Sequence, residues 1–459
     1  MRTPSMQNAR VFFHPLAGLL AALLVMLAAS LPARAGMDIQ EVVSDKGIKA
    51  WLVEDYTVPI VTIQMAFKGG STQDPDGKAG MANLITGLFD EGAGDLDSDA
   101  FQERLDDVGA EMSFSQSPDS ISGSMRMLAD NRDEALELLR LAITRPRFDP
   151  GPVERIREQI VAGLLSDARD PRTIAAIEWN KGLYGDHPYA RRNDGTVETL
   201  RTITPEDLKA FHQAQFARDN LVVGVVGAID AETLKRELDR LFADLPEKAD
   251  QRPVGPAAPE FGQRMEVAYD LPQTSIRLAY PGVKRADPDF YAAYVMTHIL
   301  GGGTFSSRLY EEVREKRGLA YGVGAWLSPR DYSAELQIST ATRSDRAQET
   351  LDVILEQVDR MVKDGATAAE LETAKKYIIG SYPIANFDNS RDIARTLVGI
   401  QQENLGIDYI RERAGHINAV TLEDVHEQAR KLLTAKPAIM MVGPQEAIAG
   451  AAPAATSGG

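Results

Sequence analysis

Residues 301–323 carry the side chains of this sequence best suited to chemistry. Three consecutive glycines, Gly301, Gly302 and Gly303, precede a run containing Glu311, Glu312, Arg314, Glu315, Lys316 and Arg317, then Gly318 and Tyr321. The order reads as a glycine-rich loop, a charged amphipathic helix stopped at Gly318, and a strand. Arg314 is a permanent cation with a fork of donors, and Tyr321 is a neutral hydroxyl donor. Across a helix-to-strand turn the two can converge on one peptide carbonyl and stabilise the oxyanion it becomes. A plainer reading fits the same residues. The helix face would be solvated, with pairs such as Glu311–Arg314 worth about a few tenths of a kcal/mol each, and Tyr321 would pack in a strand core. The glycines then form either a flexible loop or a backbone that lets a peptide approach closely.

What is absent narrows the chemistry further. The chain has no cysteine, so it has no thiol nucleophile, thiolate metal ligand or disulfide. Beyond residue 35 its histidines are His187, His212, His298, His416 and His426, none in the His-x-x-x-His spacing that puts two imidazoles on one helix face. His187, in a His-Pro-Tyr turn, reads as a brace satisfied locally, and His298 as a packing or capping residue. The net charge of −17 disfavours nucleic acid and anionic lipid as partners.

The elements that must position these residues come in two similar sets. Residues 1–35 read as an export signal: Arg2 and Arg10, an apolar run at 16–29, and Ala33-Arg34-Ala35 as a cleavage site. A retained anchor is the other reading of that run. Thr204-Pro205-Glu206-Asp207-Leu208 opens a helix leading into the apolar strand 221–227, and Thr421-Leu422-Glu423-Asp424-Val425 opens one leading into 438–443. A second pair, the strand and helix at 121–141 and those at 335–355, repeats at a similar offset. The reading is two duplicated halves, 36–246 and 263–446, joined by a Pro-rich linker at 247–262 and followed by a disordered tail at 447–459. Residues 42–53 and 58–69 are expected to pair as a hairpin, as are 265–271 and 274–280, giving antiparallel sheets with helices over one face. The fold class is α+β: two homologous α/β-sandwich domains.

The landmarks, in order, resemble the insulinase (pitrilysin) family of metallopeptidases over nearly the whole chain after the signal. They are Lys68-Gly69-Gly70-Ser71, Gly77-Lys78-Ala79-Gly80-Met81-Ala82, His187-Pro188-Tyr189-Ala190, Thr204 to Leu208, and residues 301–323. The resemblance implies domains like those of mitochondrial processing peptidase. It implies that Arg314 and Tyr321, with Gly301, Gly302 and Gly303, hold a substrate's backbone near zinc. It also implies that substrate adds as a strand to a sheet edge, here near Gly109-Ala110-Glu111-Met112-Ser113-Phe114. The family binds zinc through His-x-x-Glu-His on a helix and a later Glu. At the matching positions this chain has Asn83, Thr86 and Gly87, and the later Glu falls near Ala162 or Gly163, with Glu158 one turn away. The chain itself is therefore expected to hold no metal or other cofactor. Two readings follow. In the first, this is the metal-free subunit of an exported, periplasmic heterodimer; Arg314 and Tyr321 act in trans on peptides bound at the zinc of a homologous partner carrying His-x-x-Glu-His. In the second, it is an inactive peptide-binding, scaffold or assembly protein of the same fold.

Overall fold

Two apolar runs, Ile60–Lys68 (β3) and Leu221–Gly227 (β6), form central strands buried on both faces. The computed structural model describes residues 37–303 and 305–449, so the expected export signal lies outside the described residues. Around β3 and β6 lie Gln40–Val43 (β1), Lys49–Glu54 (β2), Glu111–Gln116 (β4) and Ser120–Leu128 (β5), in the order β1-β2-β6-β3-β5-β4. The second sheet comprises Arg264–Ala268 (β7), Gln273–Pro281 (β8), Ala320–Pro329 (β9), Ala334–Arg343 (β10) and Ala438–Gly443 (β11), in the order β7-β11-β8-β10-β9. Without β1, the two orders are the same. The repeat seen in the sequence is thus a repeat of topology, and the fold is two homologous α/β units.

The expected hairpins are replaced by a different pairing. β6 lies between β2 and β3, parallel to the former and antiparallel to the latter, and β11 lies likewise between β7 and β8. Each sheet therefore carries one parallel pair in an otherwise antiparallel array. The central slot suits the most continuously apolar strand, which here arrives late in each half. Residues 42–53 are themselves a hairpin, β1 and β2, turning at Gly47 with φ 81°.

Helices Arg132–Thr144 and Ala231–Phe242 pack Leu136, Leu139, Leu238 and Leu241 on one face of the first sheet, and Ala347–Asp364 and Leu422–Leu433 do the same for the second. The two helix starts read from the sequence match closely. Asp207 N donates to Thr204 Oγ1 at 3.2 Å and Thr204 N to Asp207 Oδ2 at 2.8 Å; Asp424 and Thr421 repeat both distances.

The opposite sheet faces are covered by exchange. Helix Pro171–Tyr184, from the first half, packs Ala175, Trp179 and Leu183 against Val267, Ala279, Met440 and Val442 of the second sheet. Helix Ser390–Gln402, from the second half, lies on β6 and β3. Between the halves, residues 247–262 form no helix or strand but are tied down. Ala257 N donates to Tyr332 O at 2.8 Å, and Glu260 N to Leu183 O at 2.9 Å. Of the tail expected at 447–459, the described residues are 447–449. Gln445–Ile448 is helical, Ile448 is buried, and its carbonyl accepts from Arg264 Nη2 at 2.7 Å.

Candidate functional site

The glycine loop and the charged helix are both wound as π-turns, His298–Gly302 and Tyr310–Glu315. This wider winding changes which side chains meet. Lys316 N donates to Glu311 O at 2.9 Å, five residues back, and Lys316 Nζ reaches Glu311 Oε1 at 2.9 Å. The expected Glu311–Arg314 pair does not form, because the i,i+3 spacing that aligns partners on an α-helix is lost. Buried Glu312 instead collects Lys316, Arg317 and Arg360, and hydrogen bonds from Lys316 and Arg317 hold its carboxyl below the usual range.

Arg314 is left over from this carboxylate network. Its nearest acid is Glu315, with Nε 3.7 Å from Oε1. Its guanidinium lies between two rings, 4.8 Å from the centre of Tyr310 and 4.6 Å from that of Tyr321. Tyr310 is buried and fixes the inner side; Tyr321 stands at the start of β9, 87 % exposed. Among the described residues β9 is an edge strand, paired with β10 alone. The structure thus brings Arg314 and Tyr321 together, with Tyr321 exposed and the Arg314 side chain half-buried beside it.

Of the three glycines, Gly301 has a clear packing reason. A Cβ there would stand 2.7 Å from Ala325 Cβ and 2.9 Å from Leu309 Cδ1, so the glycine lets the π-turn lie on β9. Gly302 and Gly303 wrap around His298, and Gly302 is exposed. His298 is buried and stacks on Tyr377 at 5.2 Å; burial pushes its pKa down to about 4. His187 is a turn brace: Nδ1 accepts from Tyr189 N at 3.1 Å, and Nε2 donates to Gly255 O at 3.0 Å.

The positions that would hold zinc lie on helix Met81–Thr86 and its end. Thr86 Oγ1 donates to Asn83 O at 2.8 Å, and a Cβ on Gly87 would stand 3.0 Å from Ile156 Cγ2. Across from them, Ala162, Gly163 and Glu158 are exposed on helix Pro150–Asp167. An amide, a hydroxyl turned to its own backbone and two missing side chains do not make a zinc donor set. Among the described residues no group of three His, Cys, Asp or Glu could hold a metal. These residues do not fit the ion.

Two supporting residues carried no sequence signal. Arg308 grips Glu370 with Nε–Oε1 at 2.6 Å and Nη2–Oε2 at 2.9 Å, and also donates to Gly365 O at 2.7 Å. Burial raises the Glu370 pKa, but the Arg308 hydrogen bond and the Thr367 cap outweigh it and bring it to about 2. Asp74 caps helix Met81–Thr86, accepting from Gly80 N at 2.7 Å and Ala82 N at 2.9 Å, while burial pushes its pKa up to about 7. Both partnerships are long in sequence or lie outside the helix they serve.

Comparison with known proteins bears on the chain as a whole. Residues 49–168 match the family described as insulinase (peptidase family M16), and residues 202–378 match one described as peptidase M16 inactive domain. A Helicobacter pylori protein described as the non-peptidase homolog YmxG is 26% identical over 341 residues, covering 72% of this chain and 77% of its own length. The Bacillus subtilis YmxG, described as an uncharacterized zinc protease, is 24% identical over 408 residues, 88% of this chain and 98% of its own. A solved peptidase M16 inactive domain from Pseudomonas fluorescens superposes with a TM-score of 0.83 at 30% identity, covering 89% of this chain and 98% of its own. A protease from Helicobacter pylori shares the fold, with a TM-score of 0.79 at 20% identity over 89% of this chain and all of its own.

Proposed function

Because the chain belongs to the insulinase family (peptidase family M16) but lacks a donor set for the family's zinc, we propose that it is the metal-free subunit of an exported two-chain metallopeptidase. A homologous partner carrying His-x-x-Glu-His supplies the zinc and its activated water. This chain supplies Arg314 and Tyr321, which bind the peptide backbone and stabilise the oxyanion formed in attack. The observation that carries the reading is the state of that pair. Arg314 is held by aromatic faces rather than consumed by a carboxylate, and its neighbour Tyr321 is exposed beside it. Small or unfolded peptides are the substrates, added as a strand at a sheet edge; β4 presents such an edge in the first sheet. The signal at residues 1–35 directs the pair to the periplasm.

The test is co-purification from the native source and peptide cleavage with and without chelator. The chain alone is expected to cleave nothing, and the pair to cleave in a chelator-sensitive way. In the pair, Arg314→Ala is expected to lower kcat by roughly 100-fold with a smaller change in KM, and Tyr321→Phe by roughly tenfold. Cleavage by the lone chain would overturn the proposal. Unchanged kinetics in both variants would instead favour the scaffold reading, in which the same fold binds peptide without catalysis.

A further inference from the structure

The exchanged helix Ser390–Gln402 covers β6 and β3 but stops short of β5 and β4, leaving a cavity of about 440 Å3 on the outer face of the first sheet. Its floor is mostly polar, with Met112 and Met125 also lining it. Across the strands run Thr62, Arg126 and Glu111, then Gln64, Ser124 and Ser113, then Ser122 and Ser115. Arg391 and Arg395 overhang it from the helix.

The charges in this cavity do not cancel. Glu111 sits directly across from Arg126, yet its carboxylate goes to Arg391 at 2.6 Å. Asp392 takes Arg395 at 3.1 Å. Arg126 is half-buried and has no ion pair or side-chain hydrogen bond among the described residues; nor do the side chains of Gln64, Ser115 and Ser122. Three guanidiniums thus face two carboxylates, in a chain whose net charge is −17. Taking a guanidinium partly out of water without a partner is unfavourable, and an oxyanion is the partner its fork fits best. The volume is that of a small-molecule site.

We propose that this cavity binds a small hydroxylated oxyanion, with Arg126 taking the phosphate or carboxylate group in a two-pronged contact. Arg395 approaches from above, and Gln64, Ser115 and Ser122 take the hydroxyls. The site is separate from Arg314 and Tyr321 and stands whether or not a zinc-bearing partner exists.

Calorimetric titration of the purified full chain tests it, with glucose 6-phosphate as the phosphate arm and citrate as the carboxylate arm. One of them is expected to saturate a single site with Kd below about 1 mM; which one identifies the anion. Arg126→Ser is expected to weaken that binding roughly tenfold or more. Arg343→Ser, in an exposed pair with Asp345 on the second sheet, is expected to leave it unchanged. If Arg126→Ser fails to fold, Arg395→Ser on the exposed side of the helix is read by the same criterion. Saturation by neither anion, or equal losses in the cavity variant and the Arg343 control, overturns the proposal.

Discussion

Arg314 owes its availability to Tyr310. A guanidinium locked to a carboxylate on both prongs, as Arg308 is to Glu370, has few donors left for a substrate. A ring holds the cation by its face and leaves the N–H groups free, at an attraction of about 1 kcal/mol. Tyr310 is therefore a positioning residue. In the reconstituted pair, Tyr310→Leu is expected to lower kcat by roughly tenfold with little change in KM, while Tyr310→Phe, which keeps the ring, restores it. A loss in Tyr310→Phe as large as that in Tyr310→Leu would point to the hydroxyl and refute the ring argument. His212 gives a second prediction at this scale. Its Nε2 donates to Ile143 O at 2.7 Å, it stacks on Phe216 at 4.9 Å, and burial pushes its pKa down to about 4 from an ordinary 6.5. Between pH 6.5 and about 4 the unfolded chain binds a proton that the folded chain refuses. This stabilising contribution is thus complete above pH 6.5 and is lost as pH falls through that window, about 2 kcal/mol at pH 5. Denaturant melts at pH 7.5 and 5 should show His212→Gln losing less stability on acidification than the parent; an equal loss would contradict the assignment.

Elements differ in how much of them the sequence announced. The two Thr-capped helices were legible because a capping box is local, and β5 and β10 because their alternation is. The insertion of β6 between β2 and β3 was not, since the residues that pair lie more than 150 apart and nothing near β2 names its partner. The π-winding at Tyr310–Glu315 was hidden for a different reason. Its composition is that of an ordinary amphipathic helix, and only backbone bonds such as Lys316 N to Glu311 O reveal it. Arg314 and Tyr321 could therefore be named from the sequence while their true neighbours could not. The same turn leads to an energetic prediction. Arg308 ties its start to the cap of helix Ala368–Asn386, with both side chains largely buried. Removing one partner leaves the other charge poorly solvated, so Arg308→Ala is expected to cost about 2–3 kcal/mol in denaturant unfolding. Arg346→Ala, which breaks only the exposed pair with Glu349, should leave the unfolding midpoint nearly unchanged. Similar losses in the two variants would show that burial at Arg308 is not what matters.

At the scale of the whole molecule, the exchange of helices makes each half incomplete alone. Without helix Ser390–Gln402 the outer face of β6 and β3 meets water, and without the second sheet Trp179 and Leu183 have nothing to cover them. No periodicity in the sequence distinguishes a helix that covers its own sheet from one that covers its neighbour's, which is why two halves read as self-contained. The contact is close because β6 carries Gly224: a Cβ there would stand 2.8 Å from Ala394 O and 3.1 Å from Leu397 Cβ, while Gln401 Nε2 donates to Val223 O at 2.9 Å. Gly224→Val must push the helix off the sheet, at a cost of about 2–3 kcal/mol or more. Because the helix belongs to the second half and the sheet to the first, the damage should reach both. Calorimetry of the parent is expected to show one cooperative transition, and Gly224→Val to lower the whole of it. Expressed separately, residues 36–246 and 263–446 should each expose apolar surface to a hydrophobic dye, and co-expression should suppress that signal. A half that melts cooperatively by itself, or a Gly224→Val protein in which one transition shifts while a second stays fixed, would show that the exchanged helices are ornaments on two independent domains.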